Sequence, residues 1–299
     1  MAANRQRLSV TEFDFDEVKD NLKLFMRNQT EFKDYDFEGS GLSALLDVLA
    51  YNTHYLGFNA NMLANEMFLD SSQLRSSVVS HAKTLGYTTR SATASNAVVD
   101  IFLNTTNASA TMPAGTVFSA SVGDESYQFV TISDVTSSNS GSNIVFDDVR
   151  IYEGSYVSSR YVADTQNVEQ RFLINDDRAD TTTLSVIVQN SATDTIQTTF
   201  TQATDISGLT STSNVYFIQE VEGGQYEIYF GDGILGSAIE DGNIIIMQYV
   251  VTNKGAANGA STFTSSSAID TVNSVNVATV SNSAGGSEPE SIESIKYNA

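Results

Sequence analysis

The sequence predicts an α+β protein, with an N-terminal helical docking region followed by a β-rich body. Two observations predict it. Apolar residues recur at three- and four-residue steps only up to about Gly86, which is helical spacing. After Tyr87, short runs rich in Val, Ile, Thr, Tyr and Phe alternate with polar turns, which is strand texture. Helices first and strands afterwards favour α+β, or two segregated domains, over an alternating α/β layout. The resulting organisation is an arm over 1–12, helices over 13–86, a β body over 87–284 with a sub-boundary near 180–210, and a segment 285–299.

Phe15, Val18, Leu22 and Phe25 line one face of a first helix over about residues 14–29, and Asp16, Glu17, Lys19, Asp20 and Lys23 occupy its other face. A lone helix of that length is marginal in water, so these four apolar residues are the candidate partner-facing set. The covering surface is either the following helices or another chain. Asp36-Phe37-Glu38-Gly39-Ser40-Gly41 then opens a long helix, with Ser40 as N-cap. Leu42, Leu45, Leu46, Leu49, Ala50 and Tyr55 or Leu56 form its apolar stripe, which continues through Phe58, Met62, Leu63 and Met67. Asp70-Ser71-Ser72 reads as a stop and a new cap. A third helix carries Leu74, Val78, Val79, Ala82 and Leu85 on one face, and Gly86 suits the left-handed position that ends it.

In the body, the spacing predicts strands at 97–103, 127–132, 143–152, 157–162, 171–174, 183–189 and 195–200, with Met112–Phe118 a turn entering another. Residues 137–142 read as a loop. Val215–Glu222 and Gln225–Phe230 flank Gly223-Gly224 as a hairpin with a two-residue turn. Ile244–Val251 is a strongly apolar strand, and 260–284 is an edge strand or a loose connector.

Composition bounds the function. The 299 residues carry 36 Asp or Glu against 15 Lys or Arg, a formal net charge of −21. That balance argues against nucleic acid as partner, because Lys and Arg supply most of such affinity. No cysteine is present, so disulfides and thiolate metal sites are excluded. No apolar run approaches the roughly 20 residues that span a bilayer, and the N-terminus lacks the apolar core of a signal peptide.

The candidate chemistry fails on context. Gly231-Asp232-Gly233-Ile234-Leu235-Gly236 has dinucleotide-fingerprint spacing, but a turn-rich segment and another strand follow where the fingerprint needs a helix. Glycines shaping a tight β-turn explain it better. Asp34, Asp36 and Glu38 open like a calcium loop whose twelfth position should be Glu and is Leu45. His54 and His81 have no metal-ligand spacing and no G-x-S-x-G elbow beside them. The residues therefore point to no catalytic group, no metal site and no cofactor.

Several stretches carry a family likeness. Asp36-Phe37-Glu38-Gly39-Ser40-Gly41-Leu42, Leu45-Leu46-Asp47, Tyr51-Asn52, Asn61-Met62, Asn65-Glu66 and Phe68-Leu69-Asp70 resemble the helical region of phage T4 gp6-type baseplate wedge proteins. Ala82-Lys83, Leu85-Gly86-Tyr87, Pro113-Ala114-Gly115-Thr116 and Tyr229-Phe230-Gly231-Asp232-Gly233 extend it, and Asn253–Gly259 and Gly285-Gly286-Ser287-Glu288 also resemble the family, including the related J-type wedge proteins. The likeness is strong at both ends and weak over about 120–210.

The resemblance implies a structural virion protein of a contractile tail, not an enzyme, made in the host cytoplasm and placed in the baseplate. It implies paired copies within each wedge, N-terminal helices joining other wedge proteins in a core bundle, and a ring around the hub that rearranges on contraction. It also implies that 285–299 leads into a further domain absent from this chain. A glycan-binding adhesin or tail-fibre module is the alternative, compatible with the Ser/Thr/Asn-rich strands.

Overall fold

A computed structural model describes residues 14–27, 40–139, 141, 143–167 and 169–299. The arm over 1–12 and the acidic run 34–38 lie outside the described residues. The chain divides into two compact units, one holding the N-terminal helices up to Tyr87 together with Ile292–Ala299, the other Thr88–Ser291.

Four helices build the first unit: α1 (Phe15–Arg27), α2 (Gly41–Glu66), α3 (Arg75–Thr84) and α4 (Ile292–Asn298). Ser40 caps α2 as its sequence requires, its hydroxyl accepting the Ser43 amide at 3.0 Å. Gly86 ends α3 at φ +81°. Its amide donates to Lys83 O at 3.0 Å and that of Tyr87 to Ala82 O at 2.9 Å, the paired bonds of a Schellman cap. The Asp70-Ser71-Ser72 cap needs correction. The N-cap residue of α3 is Leu74, which offers no side-chain bond. Ser71 and Ser72 instead turn their hydroxyls back to the carbonyls of Asn65 and Leu69. Competition from short hydroxyl side chains for nearby carbonyls explains why they end a helix as readily as they start one. The segment after residue 285 is not wholly a linker: Ile295 of α4 is fully buried against Val78, Val79 and Ala82 of α3.

The second unit is built from two curled sheets. The first contains β1 (Asn96–Asn104), β3 (Val117–Val122), β4 (Glu125–Val130), β6 (Asn143–Glu153), β14 (Phe263–Ser265) and β15 (Val275–Ala284) in the order β14-β3-β4-β6-β1-β15. A two-stranded ribbon, β2 (Ser109–Met112) with β5 (Val135–Ser138), lies beside it. The second contains β7 (Ser155–Val162), β8 (Phe172–Ile174), β9 (Ala179–Gln189), β10 (Gln197–Gln202), β11 (Val215–Glu220), β12 (Tyr226–Phe230) and β13 (Ile244–Val251), ordered β7-β13-β9-β10-β11-β12-β8. All seven strands of this sheet lie between β6 and β14 in the chain, so the second sheet is an insertion in the first.

The residues near 180–210, where the sequence suggests a sub-boundary, sit inside the second sheet in β9 and β10 and the loop after them. The chain changes sheet at Gly154 and again after Val251. Both sheets approach closure. Gly259 and Ser283 are joined by a 2.7 Å bond beside β15, and Tyr161 of edge strand β7 donates to Leu173 O of edge strand β8 at 2.7 Å.

Each sheet encloses its own apolar core. Phe118, Phe129, Phe146, Ile101 and Ile151 fill the first, with Phe129 and Phe263 edge to face at 5.0 Å. Phe172, Val186, Phe200, Ile228 and Met247 fill the second, where Phe230 meets Phe172 and Phe200 at 5.7 and 5.1 Å. The 260–284 stretch is strand over most of its second half: β15 pairs antiparallel with β1, Ile101 opposite Val277. The expected loop at 137–142 begins as the end of β5. The hairpin β11–β12 forms as expected, but its loop is three residues, since Val221 and Gln225 close it and Glu222 joins the two glycines. Gly223 and Gly224 both take φ near +80°.

Candidate docking surface on the helical unit

α1 is amphipathic and packs along α2. Met26 is buried, Phe15, Val18 and Leu22 are half-buried, and Phe25 is 63% exposed. Of the four candidate partner-facing residues, the structure therefore sets three partly inside the unit and leaves one open. The face of α2 turned inward is narrow and made of small or compact residues, Ser43, Leu46, Ala50 and Gly57.

The rest of α2 is the unusual feature. The single stripe predicted from sequence divides: Leu46 and Ala50 are buried, whereas Leu45, Leu49, Tyr55 and Leu56 are each more than half exposed. The physical reason is that α2 is apolar around most of its circumference, so no single neighbour can cover it. Two adjoining lines result. Val48, Tyr51, Tyr55, Phe58 and Met62 recur at alternating three- and four-residue steps, the spacing of a coiled-coil seam. Leu45, Leu49, Leu56, Leu63 and Met67 form the second. Every one of these ten side chains is at least 44% exposed. Tyr51 and Tyr55 stack along the first line with ring centroids 6.3 Å apart. The three–four spacing of Val48 to Met62 was present in the sequence, but periodicity alone could not say which apolar line faces inward.

Leu24 and Phe25 of α1 add to the exposed apolar surface, at 55% and 63%. Asn52, Asn59 and Thr53 are interspersed on α2, and no helix among the described residues is long and apolar enough to cross a membrane. An exposed apolar surface of this extent is a candidate contact surface.

The other candidates resolve into structure. His81 Nε2 lies 2.9 Å from Glu66 O and ties α3 to the end of α2. His54 is half-buried within α2. Among the described residues no group of three or more His, Cys, Asp or Glu could hold a metal ion. Gly231–Gly236 runs from β12 into a loop and then β13, with no helix N-terminus to meet a phosphate. The Asp232 carboxylate accepts the amides of Ile234 and Leu235 at 2.9 and 3.0 Å, occupying the donors that a phosphate would need.

A helical unit with an uncovered apolar helix, joined to two β sheets, is the architecture of an assembly subunit. Comparison with known proteins gives that class a family. The family model described as baseplate wedge protein gp6-like, helical domain, matches residues 14–87. That described as bacteriophage baseplate wedge protein gp6, third domain, matches residues 160–261, most of the inserted sheet. The chain is 31% identical to baseplate wedge protein gp6 of Enterobacteria phage T4 over 94% of its own length and 46% of that relative's. The chain thus spans about half of the curated relative it matches. Among solved structures, the anti-feeding prophage baseplate, determined by cryo-EM, aligns over 95% of this chain and 50% of that one. At 11% identity and a TM-score of 0.29, that likeness carries no weight. Residues 14–87 and 160–261 thus match the helical and third domains of gp6-type baseplate wedge proteins. These matches name baseplate proteins, not fibres or adhesins.

Proposed function

We propose that this chain is a structural, non-catalytic subunit of a phage-tail baseplate wedge, resident in the virion. It joins other wedge proteins and a second copy of itself through its N-terminal helices. The observation that carries the reading is the exposure of both apolar lines of α2, Val48 to Met62 and Leu45 to Met67, beside Leu24 and Phe25 of α1. Two lines on one helix offer seats for two further helices. Phe15, Val18 and Leu22, half-buried against the unit, hold α1 in place so that Phe25 is presented outward. The function is mechanical: packed helices exchange one arrangement for another as a unit when the tail contracts.

The test is co-expression of the chain with the other wedge proteins of the same phage, followed by size-exclusion chromatography with light scattering. Wild type should enter a complex containing two copies of the chain. Leu56→Ser/Leu63→Ser and Phe25→Ser should leave circular dichroism and Tm unchanged, because these side chains are already in water, and should weaken or abolish the complex. Complexes that form equally well with all variants would remove the helices from the interface.

A further inference from the structure

The inserted sheet carries a second apolar feature that the helical interface does not use. The loop after β12 displays Ile234 and Leu235 side by side, 74% and 45% exposed. Its shape is fixed from within. Gly233 N donates to Gly236 O at 3.1 Å, and Asp232 holds the amides of both apolar residues. A Cβ on Gly231 would lie 2.3 Å from Leu235 O, and Gly233 and Gly236 have φ of +84° and +89°, so glycine is required for the chain to fold back this tightly. The loop is also held from outside, Gly236 N donating to Thr210 O at 3.1 Å and Ser237 N to Ser213 O at 2.8 Å. The 203–214 segment that supplies those carbonyls adds Ile206, 60% exposed.

The sequence that forms this knob carries charge of one sign, and the Arg171 guanidinium over the nearby Tyr229 ring is already paired with Glu227. Residues 179–253 contain nine Asp or Glu and no Lys, Arg or His. Asp205 and Asp232 are exposed beside the apolar tips. Hydrogen bonds keep both carboxyls below the usual carboxylate range: the Ser207 hydroxyl and amide hold Asp205, and the Leu235 and Ile234 amides hold Asp232.

We infer that Ile234 and Leu235 form a rigid apolar knob on the inserted sheet that docks into an apolar pocket with a basic rim on a different protein of the same particle. A pre-shaped loop loses little conformational freedom on docking, and large apolar side chains that enter a pocket are the usual energetic anchors of an interface. The acidic surroundings select the partner. A second copy of the same face would set Asp205 and Asp232 against their own kind, whereas Lys or Arg on the rim would complement them. That the partner belongs to the same particle rests on the wedge reading proposed above.

The test places the photo-cross-linking residue p-benzoylphenylalanine at position 234 of the full chain, and separately at position 63 on α2. Assembled particles are irradiated, and the cross-linked peptides are identified by mass spectrometry. The expected product at 234 is a peptide from a different virion protein containing Lys or Arg, with a yield that falls several-fold between low and high salt. Ile234→Ser should weaken that association by about tenfold or more while Tm is unchanged. Cross-linking at 63 but not at 234 overturns the knob and leaves the helical interface standing. Cross-linking at 234 to another copy of this chain also overturns it. Particles that show neither cross-link overturn both readings.

Discussion

The carboxylate of Glu66, the last residue of α2, accepts the Gln73 amide at 2.8 Å and so caps the turn that starts α3. Its second oxygen lies 3.3 Å from the Leu74 amide. The N-cap residue Leu74 makes no side-chain capping bond of its own, so the turn into α3 is held by a carboxylate seven and eight residues earlier. One side chain thereby fixes both where α2 ends and where α3 begins.

This cap makes the helical unit pH-dependent. Partial burial pushes the Glu66 carboxyl up, but bonds from the Gln73 amide, the Ser77 hydroxyl and the Leu74 amide, with Lys296 nearby, outweigh it and leave the pKa lowered. A carboxyl whose folded-state pKa lies below its unfolded value stabilises fully above the unfolded value, about 4.3, and loses that contribution as pH falls through the folded one. Glu66→Gln should therefore cost about 0.5–1 kcal/mol at pH 7, a small figure because the site is largely solvated. The difference from wild type should shrink below about pH 4. Thermal melts of both proteins across that range check it, and a difference that does not vary with pH removes the carboxylate charge from the cap.

Glu153, at the end of β6, is fully buried and accepts three bonds where β13 ends: Thr252 Oγ1 at 2.7 Å, Asn253 N at 2.9 Å and Asn253 Nδ2 at 2.8 Å. It pins the exit of the inserted sheet to the point where the chain entered it. Glu153→Ala strands three donors, of which the Thr252 hydroxyl is fully buried and the two from Asn253 are partly so, and should destabilise the β unit by about 3 kcal/mol. Glu153→Gln keeps acceptor capacity and should cost roughly half as much. Denaturant unfolding followed by near-UV circular dichroism reads both.

Much of the local structure was legible, and the limits were physical. Ser40 and Gly86 announced their caps because capping depends on one residue type at one position. Ile244-Ile245-Ile246 announced β13 because a strand flanked on both sides, by β7 and β9, is apolar throughout. β15 was hidden because Val275 and Val277 alternate with polar residues and are only half-buried, and its partner β1 lies more than 170 residues earlier. The nesting of one sheet inside the other is invisible for the same reason, since pairing at that separation leaves no local signal. For the docking surface, the apolarity of α2 was plain from Leu45 to Met67. Which line faces α1 was not, because Ser43, Ala50 and Gly57 mark the inner face by their smallness, not their hydropathy.

Gly154 is the joint between the sheets, with β6 ending just before it and β7 beginning just after. Its φ of +125° belongs to glycine, and an added Cβ would lie 2.2 Å from Val251 O and 2.9 Å from Val250 Cγ1. Neither neighbour can retreat, because Val250 is buried and Val251 is paired in β13 with both β7 and β9. Gly154→Ala should cost about 2–4 kcal/mol from strain and overlap together. A Tm drop of several degrees with helical content unchanged is the expected result. Gly123→Ala, where nothing lies within 4 Å of the added carbon, is the comparison that separates overlap from backbone strain.

Through α4 the chain returns to the helical unit. Ile295 in α4 has no exposed surface and packs with Val78, Val79 and Ala82, with Leu69, Tyr87 and Ile292 around it. A ten-residue helix such as α3 is too short to persist by its own propensity, so its order depends on this small cluster. Ile295→Ala removes the central side chain, and large-to-small changes at fully buried positions cost about 2–5 kcal/mol. Because the cluster is small, that loss is a large share of what holds α3. Amide hydrogen exchange should accelerate across Arg75–Thr84 and Ile292–Asn298 by a hundredfold or so, while β1, β6 and β13 keep their protection. Uniform acceleration throughout the chain would mean instead that the helical unit and the β unit unfold together.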